Sequence, residues 1–244
     1  MNILKLHRLM IMPLKTSLST SAAPAKKVDF FYDVVSPYSW FAFEVLHRYK
    51  NHWNIDLRLR PVLLGGIFKI TNNKSPLFVT SKARNLLRDL PRCSKYYDVP
   101  LLMMQNPMEL LEKGSMKPMR FLTAVSMICP EHLEEASRQF WMIRWNKDED
   151  FNTEKALEEV GATCGMSNEA YNDVIAKLNS DEVKSKLKEA TNYAVECEAF
   201  GVPTTVVHVN NHKHMFFGSD RFPLIAQELE EEWKGPVPDK LSKL

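Results

Sequence analysis

The 244-residue chain predicts an α/β fold: a strand–helix–strand unit, a long all-helical insert, and a closing helix, β-hairpin and helix. Three observations carry this expectation. Val28 to Val35 is an apolar, β-branched and aromatic run that suits a strand covered on both faces. The pattern from about residue 80 to 200 is helical, with apolar side chains every three to four positions. From Thr204 to Val209 the chain returns to β character, and Asn210-Asn211 makes a tight turn into His212 to Phe217.

Each element has a local cause. Ser36 at an N-cap and Pro37 at the first helical position start a helix after the first strand, carrying Trp40, Phe43, Val45, Leu46 and Tyr49. Ile55 to Val62 alternates apolar and polar residues, giving a second strand and hence a right-handed crossover unit that Gly65-Gly66 ends. Within the insert, Met119, Leu122 and Val125 share one face, and Pro130 opens a helix lined by Leu133, Ala136, Phe140 and Ile143. Ser167 caps another, and Val183, Leu187, Ala190, Ala194 and Cys197 form a last stripe stopped by Gly201 and Pro203. Gly218-Ser219-Asp220 caps a final helix running through Leu224, Ile225 and Leu229 to Trp233. That order is the thioredoxin-like plan, split into residues 28–66 and 183–234, with an inserted helical domain at 67–182.

Composition narrows the functions open to such a fold. Hydrophobic residues make up 45% and charged residues 25%, and a formal net charge of +2 leaves no electrostatic footprint for nucleic acid. No apolar run reaches the roughly 18 residues that begin to suggest a membrane-spanning helix. Of the four cysteines, Cys93, Cys129, Cys164 and Cys197, none forms a Cys-x-x-Cys pair, which removes zinc-ribbon and dithiol redox motifs. His212-Lys213-His214 lacks a third ligand, so no metal is expected, and Glu230-Glu231-Glu232 reads as a charged helix face. There is no glycine-rich phosphate loop, and no cofactor is expected.

Both ends of the chain read as addresses. Residues 1–27 hold Lys5, Arg8, Lys15, Lys26 and Lys27, several serines and threonines, and no acidic residue, the composition of a mitochondrial transit peptide. Ala23-Pro24-Ala25 also resembles a secretory cleavage site, but the apolar stretch before it is short and interrupted by Pro13. Residues 235–244 read as an extended tail ending Ser242-Lys243-Leu244, a peroxisomal address.

In a thioredoxin-like fold the reactive atom sits where the first strand meets the first helix, here Ser36-Pro37-Tyr38-Ser39-Trp40. A redox enzyme would carry a cysteine at Ser36 and another at Ser39. Alone, Ser-Pro is an ordinary helix cap. Phe31-Tyr32-Asp33 before it and Arg60-Pro61 after it widen the pattern, as do Lys113-Gly114-Ser115 and Met119-Arg120-Phe121-Leu122-Thr123-Ala124. With Ala199-Phe200-Gly201-Val202-Pro203 and Phe217-Gly218-Ser219-Asp220-Arg221, the chain resembles the kappa-class glutathione transferases over about residues 28–238. The resemblance implies a homodimer, found in mitochondria and peroxisomes, that joins glutathione to a small apolar electrophile such as an aryl halide, with peroxide reduction as a side activity.

For individual residues, the resemblance implies that Ser36 donates a hydrogen bond to the glutathione sulfur, with Pro37 and Tyr38 beside it. Val202-Pro203 matches the family's cis-proline element, which would pair with the cysteinyl peptide. Ser219 and Asp220 match residues holding the γ-glutamyl end, and Asn73 and Lys82 match positions reaching the other carboxylate, although Gly65-Gly66 and Ser75-Pro76-Leu77-Phe78 depart from the family nearby.

Simple chemistry makes the serine role workable. Lowering a thiol pKa of about 8.5 by two units takes about 2.7 kcal/mol. A hydrogen bond to a charged acceptor supplies roughly 1.5–3 kcal/mol, and a helix N-terminus adds roughly 0.3–1, or up to about 2 when partly buried. No base is needed. Two other readings stay open from sequence: a glutathione-dependent isomerase of the 2-hydroxychromene-2-carboxylate type, which also uses a serine, and a non-catalytic module binding glutathione and apolar ligands.

Overall fold

A computed structural model describes residues 24–240. The elements run β1 (Lys26–Tyr32), α1 (Pro37–Tyr49), β2 (Ile55–Pro61), α2 (Leu64–Thr71), α3 (Thr80–Tyr97), α4 (Glu109–Lys113), α5 (Met116–Ile128) and α6 (Leu133–Trp141). They continue with α7 (Glu154–Thr163), α8 (Asn168–Lys177), α9 (Asp181–Glu196), β3 (Thr204–Val209), β4 (His212–Phe217) and α10 (Phe222–Leu229). The sheet order is β2-β1-β3-β4, with β1 parallel to β2 and antiparallel to β3. This is the expected α/β, thioredoxin-like arrangement, its strands drawn from residues 26–61 and 204–217.

β1 is covered on both faces, which explains its nearly continuous apolar run. Val28, Phe30 and Tyr32 join the main core with α1 and the insert, while Phe31 faces the other way among Ile67, Ala194 and Val206. Rings bridge the sheet to the insert: Trp141 packs 5.4 Å from Tyr32 and 4.9 Å from Phe43. Each such pair adds roughly 0.5–1.5 kcal/mol beyond the area it buries. After Trp141 the helix widens into a π turn over Met142–Asn146.

The β3–β4 turn forms as expected, with Asn210 and Asn211 both left-handed at φ 51° and 63°. Four boundaries differ from the sequence expectation. β1 begins at Lys26, inside the range assigned to the leader, because Lys26 and Lys27 pair with Ile55 and Asp56 and the Lys26 ammonium donates to Leu229 O at 2.5 Å. The rest of the expected leader, residues 1–23, and the Ser242-Lys243-Leu244 terminus lie outside the described residues.

Gly65-Gly66 sits in the first turn of α2 instead of ending the unit. A Cβ on Gly66 would meet Thr191 Cγ2 of α9 at 3.0 Å, so close packing of the two helices outweighs poor intrinsic helix propensity. The last helix starts at Phe222, after Ser219 and Asp220, and stops at Glu230, which is left-handed at φ 56°. That stop returns Trp233 onto α1, where it stacks 5.0 Å from Tyr49 and 5.6 Å from Phe222, and Trp53 Nε1 donates to Glu232 O. Burying these rings outweighs one further helical turn, and it splits the three glutamates, which do not form a helix face. The start of the expected tail is likewise anchored, with Gly235 O accepting from Tyr49 Oη and Pro236 O from Arg48 Nη1.

Candidate functional site

The turn between β1 and α1 presents Ser36 at the N-cap of α1, with Pro37 at the first helical position. Ser36 Oγ accepts from Ser39 N at 3.2 Å, and its hydroxyl donates to Val202 O at a weak 3.5 Å. A proton so loosely held can turn to a better acceptor. The Val202–Pro203 bond is cis, as expected from sequence, and it lies directly across from Ser36.

Side chains of the insert grip this turn. Trp141 Nε1 donates to Ser36 O at 3.1 Å and Trp145 Nε1 to Val34 O at 3.3 Å, while Val34 N points at Met119 Sδ, 3.5 Å away. Beneath the turn, Asp33 is wholly buried. Its carboxyl group accepts from Val35 N, Leu64 N and Ser115 Oγ. Burial pushes the Asp33 carboxyl up to about 6, the three donors opposing the shift.

Tyr38 is the second residue of α1, and its hydroxyl donates to Asp89 Oδ2 at 2.7 Å. Burial, reinforced by the Asp89 carboxylate, holds that phenol protonated well above its ordinary range. Tyr38 thus commits its hydroxyl to Asp89. It lines a cleft of about 390 Å³ with Pro76, Ser81, Lys82, Asn85 and Leu86. Lys82 is exposed there.

Asn73 lies elsewhere and is engaged. Its Nδ2 donates to Phe200 O at 2.7 Å and its Oδ1 accepts from Lys74 N, so it ties the end of α2 to the loop leading into Val202-Pro203. Ser219 and Asp220 come next to Pro203 because Gly218 N donates to Pro203 O at 3.0 Å. Ser219 is buried, and its carbonyl accepts from Tyr97 Oη at 2.7 Å. Asp220 is exposed and pairs with Arg221 at 3.1 Å. Neither caps α10: its N-cap is Arg221, with no side-chain cap bond. The two residues end a loop beside the site.

Sequence reasoning missed the α3 wall of the site. Asp89, Cys93 and Tyr97 recur every four residues and share one face of α3. Asp89 binds Tyr38 and accepts from Cys93 Sγ at 3.5 Å, and Tyr97 holds the Ser219 carbonyl. Burial pushes the Cys93 thiol up to about 12, with the negative charges of Asp89 and Asp220 adding to it, so this cysteine is a poor thiolate nucleophile at neutral pH. The spacing of four was the available signal; the run between Asp89 and Tyr97 looked like any polar helix surface.

The structure thus brings Ser36, Pro37, Val202 and Pro203 together, places Ser219 and Asp220 beside Pro203, and sets Tyr38 and Lys82 along one cleft. A neutral hydroxyl at a helix N-terminus, with neither dithiol nor base beside it, suits polarisation of a bound sulfur better than redox exchange.

Fold and turn geometry define the class: residues 27–230 match the DSBA-like thioredoxin domain family. Glutathione S-transferase kappa 1 of Rattus norvegicus is 44% identical over 221 residues, covering 90% of this chain and 98% of the relative. The Homo sapiens protein of the same name is 44% identical over 214 residues, covering 87% and 95%. The chain belongs to the kappa class of glutathione S-transferases. A solved 2-hydroxychromene-2-carboxylate isomerase shares the fold, with a TM-score of 0.68 at 22% identity over 84% of this chain and 94% of that one. Among the described residues, no helix is long and apolar enough to cross a membrane.

Proposed function

We propose that the chain conjugates glutathione to soft electrophiles such as aryl halides, with Ser36 donating its hydroxyl proton to the sulfur. The observation that carries this reading is the Ser36 hydroxyl at the N-terminus of α1, its proton engaged only with Val202 O at 3.5 Å. The thiol proton leaves to solvent. The thiolate attacks the carbon bearing the halide, a carbon–sulfur bond forms, and the halide departs with its electron pair. Ser36 and the α1 N-terminus stabilise the thiolate together, by roughly 1.5–3 kcal/mol and 0.3–2 kcal/mol. Peroxide reduction follows as a side activity, two glutathiones giving their disulfide, an alcohol and water.

Around the sulfur, the Val202 backbone pairs with the cysteinyl peptide and Asp220 takes the γ-glutamyl ammonium. Lys82 takes the far carboxylate, with Tyr38 as the wall between and Pro37 beneath the thiolate. Asn73 contributes by fixing the Phe200–Pro203 loop. The protein works as a homodimer in the mitochondrial matrix and in peroxisomes. Mass spectrometry of products from glutathione and a panel of aryl halides, wild type against Ser36→Ala, tests the reaction. Thioether products that fall sharply in the variant support it; isomerised substrate without a thioether points to the isomerase chemistry instead. Light scattering of the purified protein tests the dimer.

A further inference from the structure

Asp33 gathers donors from more elements than a single helix cap would. Its Oδ1 accepts from Val35 N at 3.0 Å, and its Oδ2 accepts from Leu64 N and Ser115 Oγ, both at 2.8 Å. Its own carbonyl accepts from Ser36 N at 3.0 Å. The three carboxylate donors come from three separate pieces of chain: the turn itself, the first residue of α2, and the residue preceding α5 in the insert.

Ser115 is the more telling of these partners. It occupies the N-cap position of α5, yet its hydroxyl makes no cap bond to that helix and goes to Asp33 instead. The α2 N-cap, Leu63, has no side-chain cap either, and the amide of the next residue, Leu64, is satisfied by Asp33. Two helices therefore direct N-terminal donors to one buried carboxylate under the Ser36 turn. Converging donors need an acceptor on both oxygens, which a carboxylate provides; an amide would turn one of them into a donor facing a donor.

We propose that Asp33 is a positioning residue for the chemistry assigned to Ser36 above, on which this inference rests: its carboxylate locks the β1–α1 turn so that the Ser36 hydroxyl stays aimed at the sulfur. It acts through the backbone, because the Ser36 hydroxyl has Ser39 N and Val202 O as partners and not the Asp33 carboxylate. Loosening the turn widens the set of Ser36 orientations, and a hydrogen bond to a thiolate weakens steeply with misalignment.

The experiment compares wild type, Asp33→Asn, Ser115→Ala and Ser115→Thr by ultraviolet titration of bound glutathione thiolate and by steady-state kinetics with an aryl halide. Asp33→Asn is expected to lower kcat at least tenfold, to leave the glutathione KM within threefold, and to raise the bound-thiolate pKa toward that of free glutathione. Ser115→Ala shifts both readouts the same way by a smaller factor, and Ser115→Thr, which keeps the hydroxyl, restores them. A thiolate pKa that instead falls in Asp33→Asn means that the carboxylate acts on the sulfur through its charge, and overturns the positioning role. So does a folded Ser115→Ala with unchanged thiolate pKa and kcat, which keeps the test decisive if Asp33→Asn does not fold. Wild-type protein that makes no conjugate refutes the transferase reading itself; active wild type with indifferent variants refutes only the role of Asp33.

Discussion

Ser36→Ala separates two roles that one oxygen atom holds. The hydroxyl oxygen caps α1 by accepting from Ser39 N at 3.2 Å, and its proton, engaged only with Val202 O at 3.5 Å, is free for a sulfur. Losing the cap costs about 1 kcal/mol of stability. Losing a hydrogen bond to a thiolate costs roughly 1.5–3 kcal/mol, a rise of about one to two units in the bound-thiolate pKa; from a starting value of about 6.5, the ionised fraction at neutrality, and turnover with it, falls by about 3- to 25-fold. The α1 N-terminus survives the substitution, so the pKa is not expected to return all the way to about 8.5. Glutathione affinity stays within a few-fold, since the lost bond acts on the ionised sulfur. Denaturant titration reads the first cost, and ultraviolet thiolate titration with steady-state kinetics reads the second. Ser36→Asp divides the two further: a carboxylate caps well but sets a negative charge against the thiolate, so stability holds while activity is lost. If Ser36→Ala is destabilised by about 1 kcal/mol with thiolate pKa and kcat unchanged, Ser36 is a helix cap and the catalytic reasoning fails.

Asp220→Asn is expected to raise the glutathione KM about thirtyfold, the equivalent of a charged contact of about 2 kcal/mol, with kcat within a few-fold; an unchanged KM would remove Asp220 from the γ-glutamyl site. Asp33 titrates at about 6 when folded against an ordinary 3.8, so the folded state binds its proton more tightly. Its contribution to stability is therefore most favourable at acid pH and declines by about 2 kcal/mol as pH rises from 4 to 6; unfolding free energies of wild type and Asp33→Asn with the same slope across that window would contradict this. For location, deleting residues 1–25 stops short of β1 and is expected to leave conjugation intact while moving protein from mitochondria to peroxisomes, and deleting Leu244 to abolish only the peroxisomal pool. Imaging an internal epitope checks it, and uniform cytosolic staining refutes it. Deletion through Val28 removes Lys26 and its bond to Leu229 O, so that form is expected to lose thermal stability as well.

What the sequence made legible was local. β1, α1 and β2 announce themselves through a buried strand, a Ser-Pro cap and an alternating strand, and the Asn210-Asn211 turn through its tolerance of positive φ. Ser36, Pro37, Val202 and Pro203 come together because the first βα turn and the start of β3 lie at one end of neighbouring strands. The misjudged parts depend on partners far along the chain. Nothing near Gly65-Gly66 says that Thr191 will press on it, nothing near Glu230 says that Trp233 will be claimed by Tyr49, and Asp220 looks like a cap until Arg221 takes that place. Asp33 belongs to the Phe31-Tyr32-Asp33 motif, yet its donors at Leu64 and Ser115 are 31 and 82 positions away.

The π turn at Met142–Asn146 has a consequence for how the insert can change over time. Trp141 precedes it and Trp145 lies within it, and the two reach Ser36 O and Val34 O, carbonyls two residues apart in the turn after β1. In a regular helix, residues four apart are rotated by about 40° from one another after a full turn; the wider π turn alters that angle and seats both indoles at once. Adding or deleting one residue here would rotate one ring off its carbonyl, and no change in side-chain type would compensate. The insert can drift in length at its outer loops, but at this point its helical phase is tied to the serine turn, and the two can be inherited only as a matched pair.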